Sequence, residues 1–198
     1  VPGVLVTNSA ESLGFDHLSS VCISDEGAAK KAIEYLIISG HRKIGVLGGE
    51  MICSTPAKAR YKGCIAAFKE YGIVFEPEKH YESDYFTMEG GYNAMKRLLK
   101  RSDDFTAVFA MSDVTAMGAI RAICEAGKRV PDDISVIGFD GIEIGQYIVP
   151  RLTTIKQPDE QIAERAVDIL LKQIMNETKA IYEETTFVLI EGNSVRKI

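Results

Sequence analysis

Apolar and polar positions follow two different periods along this chain. Short, nearly unbroken apolar runs at 4–6, 21–23, 43–49, 107–110 and 134–139 read as strands, several of them buried on both faces. Between them lie longer segments in which apolar residues recur every three or four positions, the spacing of one helix face. In the first of these Ser24 caps, Asp25 and Glu26 place carboxylates at the positive end, and Ala29, Ala32, Ile33 and Leu36 share a face that Gly40 terminates. Thr55 is expected to cap a second helix, with Pro56 at its first position and Gly72 beyond its end. Helices follow over 88–101 and 114–126, the latter closed by Gly127. Residues 151–158 read as extended, 159–175 as an amphipathic helix through Ile162, Ala166, Ile169, Leu170 and Ile174, and 185–190 as a last strand. Repetition of strand and helix predicts an α/β fold built on doubly wound parallel sheet.

In open α/β sheets, ligands bind outside the carboxyl ends of the strands. The stretch DISVIGFDG (133–141) ends a buried strand on Asp140, close to Gly138 and Gly141; FAMSD ends on Asp113, and polar residues follow GVLGG. A strand tip in a purely structural domain needs only turn residues, so polar groups at several tips are candidates for a binding site. Taken singly, Asp140 reads equally well as a turn acid, and Arg60 as a solvated helix cation.

Composition narrows the function classes. The 198 residues are 46% hydrophobic and 26% charged, enough for one sizeable domain or two lobes. A net charge of −5 without any block of like charge argues against a general nucleic-acid or anionic-membrane surface. Cys22, Cys53, Cys64 and Cys124 form no CxxC and have no His-rich partners, so neither a zinc site nor a disulfide framework is expected, and a reducing, cytoplasmic setting fits. No apolar run approaches the roughly 18 residues of a membrane helix, and no basic-then-apolar leader opens the sequence. GxxxxGK[ST], GxGxxG and GxSxG are absent, and His17, His41 and His80 read as surface or turn residues without a triad context. No cofactor, metal or catalytic group is expected. The triplet Asn176-Glu177-Thr178 matches a glycosylation signal but carries no weight by itself.

Four blocks, SGHRKIGVLGG (39–49), ARYKGCIAAF (59–68), AVFAMSDVTAMGAIRAICEAGKRVPDDISVIGFD (107–140) and LTTIKQP (152–158), resemble successive motifs of the LacI–GalR family of bacterial transcription regulators. The resemblance runs from residue 1 to about 194. It implies a two-lobed, periplasmic-binding-protein-like (type I) core, similar to the periplasmic sugar-binding proteins, that holds a sugar or related metabolite between its lobes and performs no reaction. Crossings between lobes are expected near 22–24, 152–155 and 185–187. Residues 24–152 plus 187–198 would form the C-terminal lobe, and 1–23 plus 153–186 part of an N-terminal lobe. The family's helix-turn-helix domain, through which operator DNA would be bound, and further βα units lie before the point where this sequence starts. A homodimer is implied. A transporter's periplasmic sugar-binding protein is the alternative reading.

Carried over residue by residue, Asp140 matches the acid of the family's G-[FY]-D motif, an acceptor for ligand hydroxyls or amines, and Arg60 matches the donor of R-x-x-G. Phe86 lies near the aromatic that stacks on the ligand, although one extra residue before Gly91 leaves Tyr85 open. Thr7 and Asn8 end the first strand, where polar contacts are expected. Ser112 stands in place of a frequent Asn and shortens the reach. Pro56 replaces a hydroxyl found in some relatives, leaving Thr55 or Ser54 to supply it. The family's dimer surface resembles 114–126 plus 141–149, with Met117, Ile120, Ile144, Tyr147 and Ile148 as apolar candidates. Such a set suits a polyhydroxylated ligand: each charge-assisted hydrogen bond is worth about 1.5–3 kcal/mol, and an aromatic ring covers the apolar C–H face.

Overall fold

The computed structural model describes residues 1–50, 54–102, 104–176 and 179–198, so Cys53 and the Glu177-Thr178 end of the glycosylation-like triplet lie outside the described residues. In chain order the elements are β1 (Gly3–Val6), β2 (Leu18–Ile23), α1 (Asp25–Ile38), β3 (Ile44–Gly49), α2 (Thr55–Glu70), α3 (Pro77–His80), β4 (Tyr81–Asp84), α4 (Met88–Arg101), β5 (Ala107–Ala110), α5 (Asp113–Glu125), β6 (Ser135–Asp140), β7 (Thr153–Lys156), α6 (Asp159–Asn176), β8 (Tyr182–Thr185) and β9 (Val188–Ile190). They divide into two compact units, Val1–Ser24 with Gln157–Phe187, and Asp25–Lys156 with Val188–Ile198.

The larger unit holds a sheet of order β4-β3-β5-β6-β7-β9, parallel except for β9, which runs antiparallel to β7. β3 and β5 are buried at every position, as strands covered on both faces by helices must be. Leu47, Met95, Leu98, Val108, Ile123, Ile134 and Val136 form one continuous apolar cluster with Phe105. The helices approach closely where glycine allows it: a Cβ on Gly63 of α2 would fall 2.1 Å from the Glu26 carbonyl oxygen of α1, and one on Gly118 of α5 would fall 2.0 Å from the Met88 carbonyl oxygen of α4. His41, expected as a surface or turn residue, lies between α1 and β3 and is fully buried. Its Nε2 donates to the Arg196 carbonyl (3.1 Å), which leaves Nδ1 to accept from the Thr106 hydroxyl (3.0 Å), and burial pushes its pKa below the ordinary 6.5.

In the smaller unit β1, β2 and β8 pair in parallel in that order, and α6 packs on β1 and β2 through buried Ile162, Ala166 and Ile169. Ile174, expected on the same face, is 60% exposed, and Gln173 takes the inward position.

Three boundaries differ from expectation. The extended segment 153–156, expected in the N-terminal lobe, pairs with β6 from Ile137↔Thr153 to Asp140↔Lys156, so it belongs to the larger unit and the chain leaves at Gln157. The single strand expected over 185–190 is two strands in two sheets: β8 pairs with β2, and β9 with β7. β4 was not foreseen, because YESD carries no apolar run; its buried Glu82 is held by Arg97 and Arg101.

Candidate functional site

Polar groups gather at the carboxyl end of the larger unit's sheet. α2 brings Arg60 there. The helix starts at Ser54, whose hydroxyl accepts from the Ala57 N–H at 3.2 Å, so Ser54 is the cap, while Thr55 is the first helical residue, exposed, and Pro56 the second. Ser54 wins because it is the last residue with extended backbone (φ −116, ψ 113), the conformation in which a hydroxyl reaches back to the first turn.

Arg60 is only 6% exposed, and a buried guanidinium is costly unless its charge and donors are matched. Its Nε donates to Asp25 Oδ1 at 2.7 Å, its Nη1 donates to the Met111 carbonyl, and its Cζ lies 3.7 Å from the centre of the Phe139 ring. Asp140 Oδ1 stands 3.8 Å from Nη1, an ion-pair contact rather than a hydrogen bond. Burial raises the Asp25 pKa, and the Arg60 guanidinium opposes that rise.

Asp140 adopts φ +114 and Gly141 φ +75, a reversal that L side chains rarely make. Asp113 holds it in place. One carboxylate oxygen of Asp113 accepts from the N–H groups of Gly141 and Ile142, both at 2.8 Å, and the other accepts from the Thr154 hydroxyl at 2.6 Å. A side chain at position 138 would put Cβ 2.2 Å from that second oxygen, which is why the position is glycine. Asp113 is fully buried, and burial pushes its carboxyl up to about 7 against three hydrogen bonds that favour the ionised form.

Phe86 (φ +54) donates its N–H to Asp84, and its ring lies so close over Gly49 that a Cβ there would fall 2.3 Å from a ring carbon. Tyr85 is 76% exposed, so Phe86 is the aromatic seated at the strand ends. Ser112 is buried and precedes α5 without capping it. Thr7 and Asn8 belong to the smaller unit, half-buried where β1 ends; Thr7 has φ +62, and its N–H donates to the Val21 carbonyl. Among the described residues the non-glycine positions with positive φ are Thr7, Phe86 and Asp140, and such strain concentrates where side chains are aimed at a ligand.

Sequence reasoning missed Asp25, which reads as an ordinary helix N-terminal acid, and Phe139, which reads as core. Of the apolar positions assigned to a dimer surface, Ile120 is buried in the core and Ile148 packs against it, while Ile144 and Tyr147 are exposed and Met117 is half-buried. No helix among the described residues is long and apolar enough to cross a membrane.

The family described as periplasmic binding protein-like domain matches residues 33–195. The HTH-type transcriptional repressor PurR of Pasteurella multocida is 43% identical over 77% of this chain and 46% of its own length. The probable HTH-type transcriptional repressor ExuR of Bacillus subtilis is 40% identical over 91% of this chain and 54% of its own length. The chain thus spans about half the length of the curated relatives it matches. Among solved structures, the complex of the transcriptional regulator CelR with cellobiose superposes with a TM-score of 0.90 at 29% identity, over 98% of this chain and 59% of that one. A LacI family regulator from Enterococcus faecium with bound ribose gives 0.87 at 29% identity, over 100% and 71%. The chain therefore belongs to the periplasmic binding protein-like domain family, and the proteins it resembles within that family are LacI-type transcriptional regulators.

Proposed function

We propose that this chain is the effector-sensing core of a LacI-type transcriptional repressor and binds a sugar or similar polyhydroxylated metabolite without turning it over. The observation that carries this reading is the pairing of Asp140 and Arg60 at the carboxyl end of the sheet, with Asp140 outward enough to be reached (29% side-chain exposure) and Arg60 fixed from behind. A carboxylate accepts from neighbouring hydroxyls while a guanidinium donates to their oxygens. Phe86, seated over Gly49 at the same end of the sheet, offers an apolar face, and the hydroxyls of Ser112 and Thr55 are assigned to the same ligand. Binding favours whichever arrangement of the protein holds the ligand better. That preference is relayed to operator DNA by a helix-turn-helix domain outside this sequence, as the repressor relatives suggest, in a homodimer formed through Ile144 and Tyr147 and acting in the cytoplasm. A transport role is less well supported, because the curated relatives named above are repressors.

The test is a thermal-shift screen of the whole protein against sugars, sugar phosphates and nucleobases, with Asp140→Ala alongside. A ligand at 100 times its Kd adds about 2.7 kcal/mol. A hit that the variant loses supports the reading; hits indifferent to Asp140→Ala contradict it.

A further inference from the structure

An acid that opens a helix ordinarily serves that helix, facing its own first N–H groups. Asp113, the first residue of α5, spends both carboxylate oxygens on other elements. One accepts from the Gly141 and Ile142 N–H groups beyond the end of β6, each at 2.8 Å, and the other accepts from the Thr154 hydroxyl of β7 at 2.6 Å. Gly138 of β6 leaves the room for this, since a Cβ there would fall 2.2 Å from the second oxygen. The side chain is fully buried, and among the described residues no cation pairs with it; the neighbouring charge it feels is Asp140, of its own sign. A buried carboxylate without a counter-ion is expensive. Neither the β6–β7 ladder nor α5 requires it, because backbone hydrogen bonds close both. What it holds is the turn after β6, where Asp140 sits at φ +114, a conformation that a non-glycine residue keeps only when its surroundings over-determine it. Arg60 and Lys156 stand beside Asp140; Asp113 grips the backbone that aims it.

From this we infer that Asp113, together with Thr154 and Gly138, is the positioning set of the effector site: it fixes the direction of Asp140 and thereby sets effector affinity without touching the effector. The inference rests on the ligand-sensing reading proposed above. A side chain that reads a ligand must be held within about 0.5 Å of its working position. With the Gly141 and Ile142 N–H groups released, the backbone at Asp140 relaxes toward negative φ, and its carboxylate leaves the place beside Arg60.

The whole regulator is titrated calorimetrically with ribose, glucose, galactose and cellobiose, and each variant is compared on every sugar that binds wild type. Asp113→Ala should weaken binding at least about tenfold, and Asp113→Asn, which restores an acceptor, should bring it back to within about threefold of wild type. Gly138→Ala, which pushes the carboxylate aside, should weaken binding about tenfold by itself but add no more than about threefold in the Asp113→Ala background, where nothing is left to displace. A role confined to stability predicts otherwise: unfolding midpoints fall while affinity holds. Affinity within about threefold of wild type in folded Asp113→Ala overturns the inference, and so do independent, multiplying losses from positions 113 and 138. Should Asp113→Ala fail to fold, Thr154→Val, which keeps the shape and unties one carboxylate oxygen, decides: it should cost at least about threefold, and unchanged affinity overturns the inference. Binding that Asp140→Gly abolishes and these variants spare removes only the positioning role. Silence of every sugar on wild type removes the ligand-sensing reading itself, and this inference with it.

Discussion

Asp113 should make the stability of this chain depend on pH in a direction opposite to that of most acids. Burial holds its carboxyl near 7 in place of the ordinary 3.8, so between those values the folded chain keeps a proton that the unfolded chain has released. The contribution is complete below about pH 4 and is lost as pH rises through about 7. A displacement of roughly three units at about 1.36 kcal/mol each gives about 4 kcal/mol across that window. Asp113→Asn carries no proton at either pH; its amide oxygen can accept from the Gly141 and Ile142 N–H groups while its NH2 donates to the Thr154 hydroxyl. Urea unfolding of wild type and Asp113→Asn in parallel from pH 4 to 8 isolates the effect, because other groups cancel in the difference. Wild type should lose stability relative to the variant by as much as about 4 kcal/mol over this range. A difference that is flat, or that moves in wild type's favour as pH rises, refutes the reasoning. Asp113→Ala should be worse than Asn at every pH, by about 2–5 kcal/mol, since three donors around it lose their acceptor.

Other expectations follow from single contacts. Gly63→Ala and Gly118→Ala force helix pairs apart, because each new Cβ overlaps a backbone oxygen, at 2.1 Å and 2.0 Å; each should lower stability by about 1–3 kcal/mol in chemical unfolding, and an unchanged midpoint would disprove the close approach. Asp140→Gly removes a left-handed non-glycine residue (φ +114) and should raise the melting temperature slightly, by the equivalent of up to about 1 kcal/mol, while abolishing effector binding; a lower melting temperature would deny the strain. His41 has its pKa lowered by burial, so its stabilising contribution is present above about pH 6.5 and is lost as pH falls below that. The slope of stability between pH 7 and 5 should therefore be shallower in His41→Gln, and equal slopes would count against a neutral buried imidazole.

The sequence revealed whatever was encoded in contiguous runs. β3, β5 and β6 are unbroken apolar stretches, and their carboxyl ends could be read as the site edge because a core strand that stops on Asp140 needs a reason. Partnerships across the chain were invisible. Asp25 and Arg60 stand 35 positions apart, and an acid opening a helix is already explained by the helix dipole, so nothing in the local pattern announces the ion pair. β8 and β9 read as one strand for the opposite reason: TTFVLI is one continuous apolar-leaning run, and although the family resemblance implies a crossing near 185–187, only the sheet pairing shows that a strand ends at Thr185 and another begins at Val188. Ser54 and Thr55 are equally good caps by residue type, and the backbone decides between them. The positive φ at Thr7, Phe86 and Asp140 has no glycine to advertise it.

The central claim is that Asp140 reads the effector, and calorimetric titration of the whole regulator with the strongest ligand from the screen, in wild type and in Asp140→Gly, tests it most directly. Glycine keeps the backbone conformation at φ +114 and removes only the carboxylate. The loss of two charge-assisted hydrogen bonds predicts at least about hundredfold weaker binding with an intact fold. Affinity within about threefold of wild type, a free-energy change well under 1 kcal/mol, would return Asp140 to a turn residue and contradict the account.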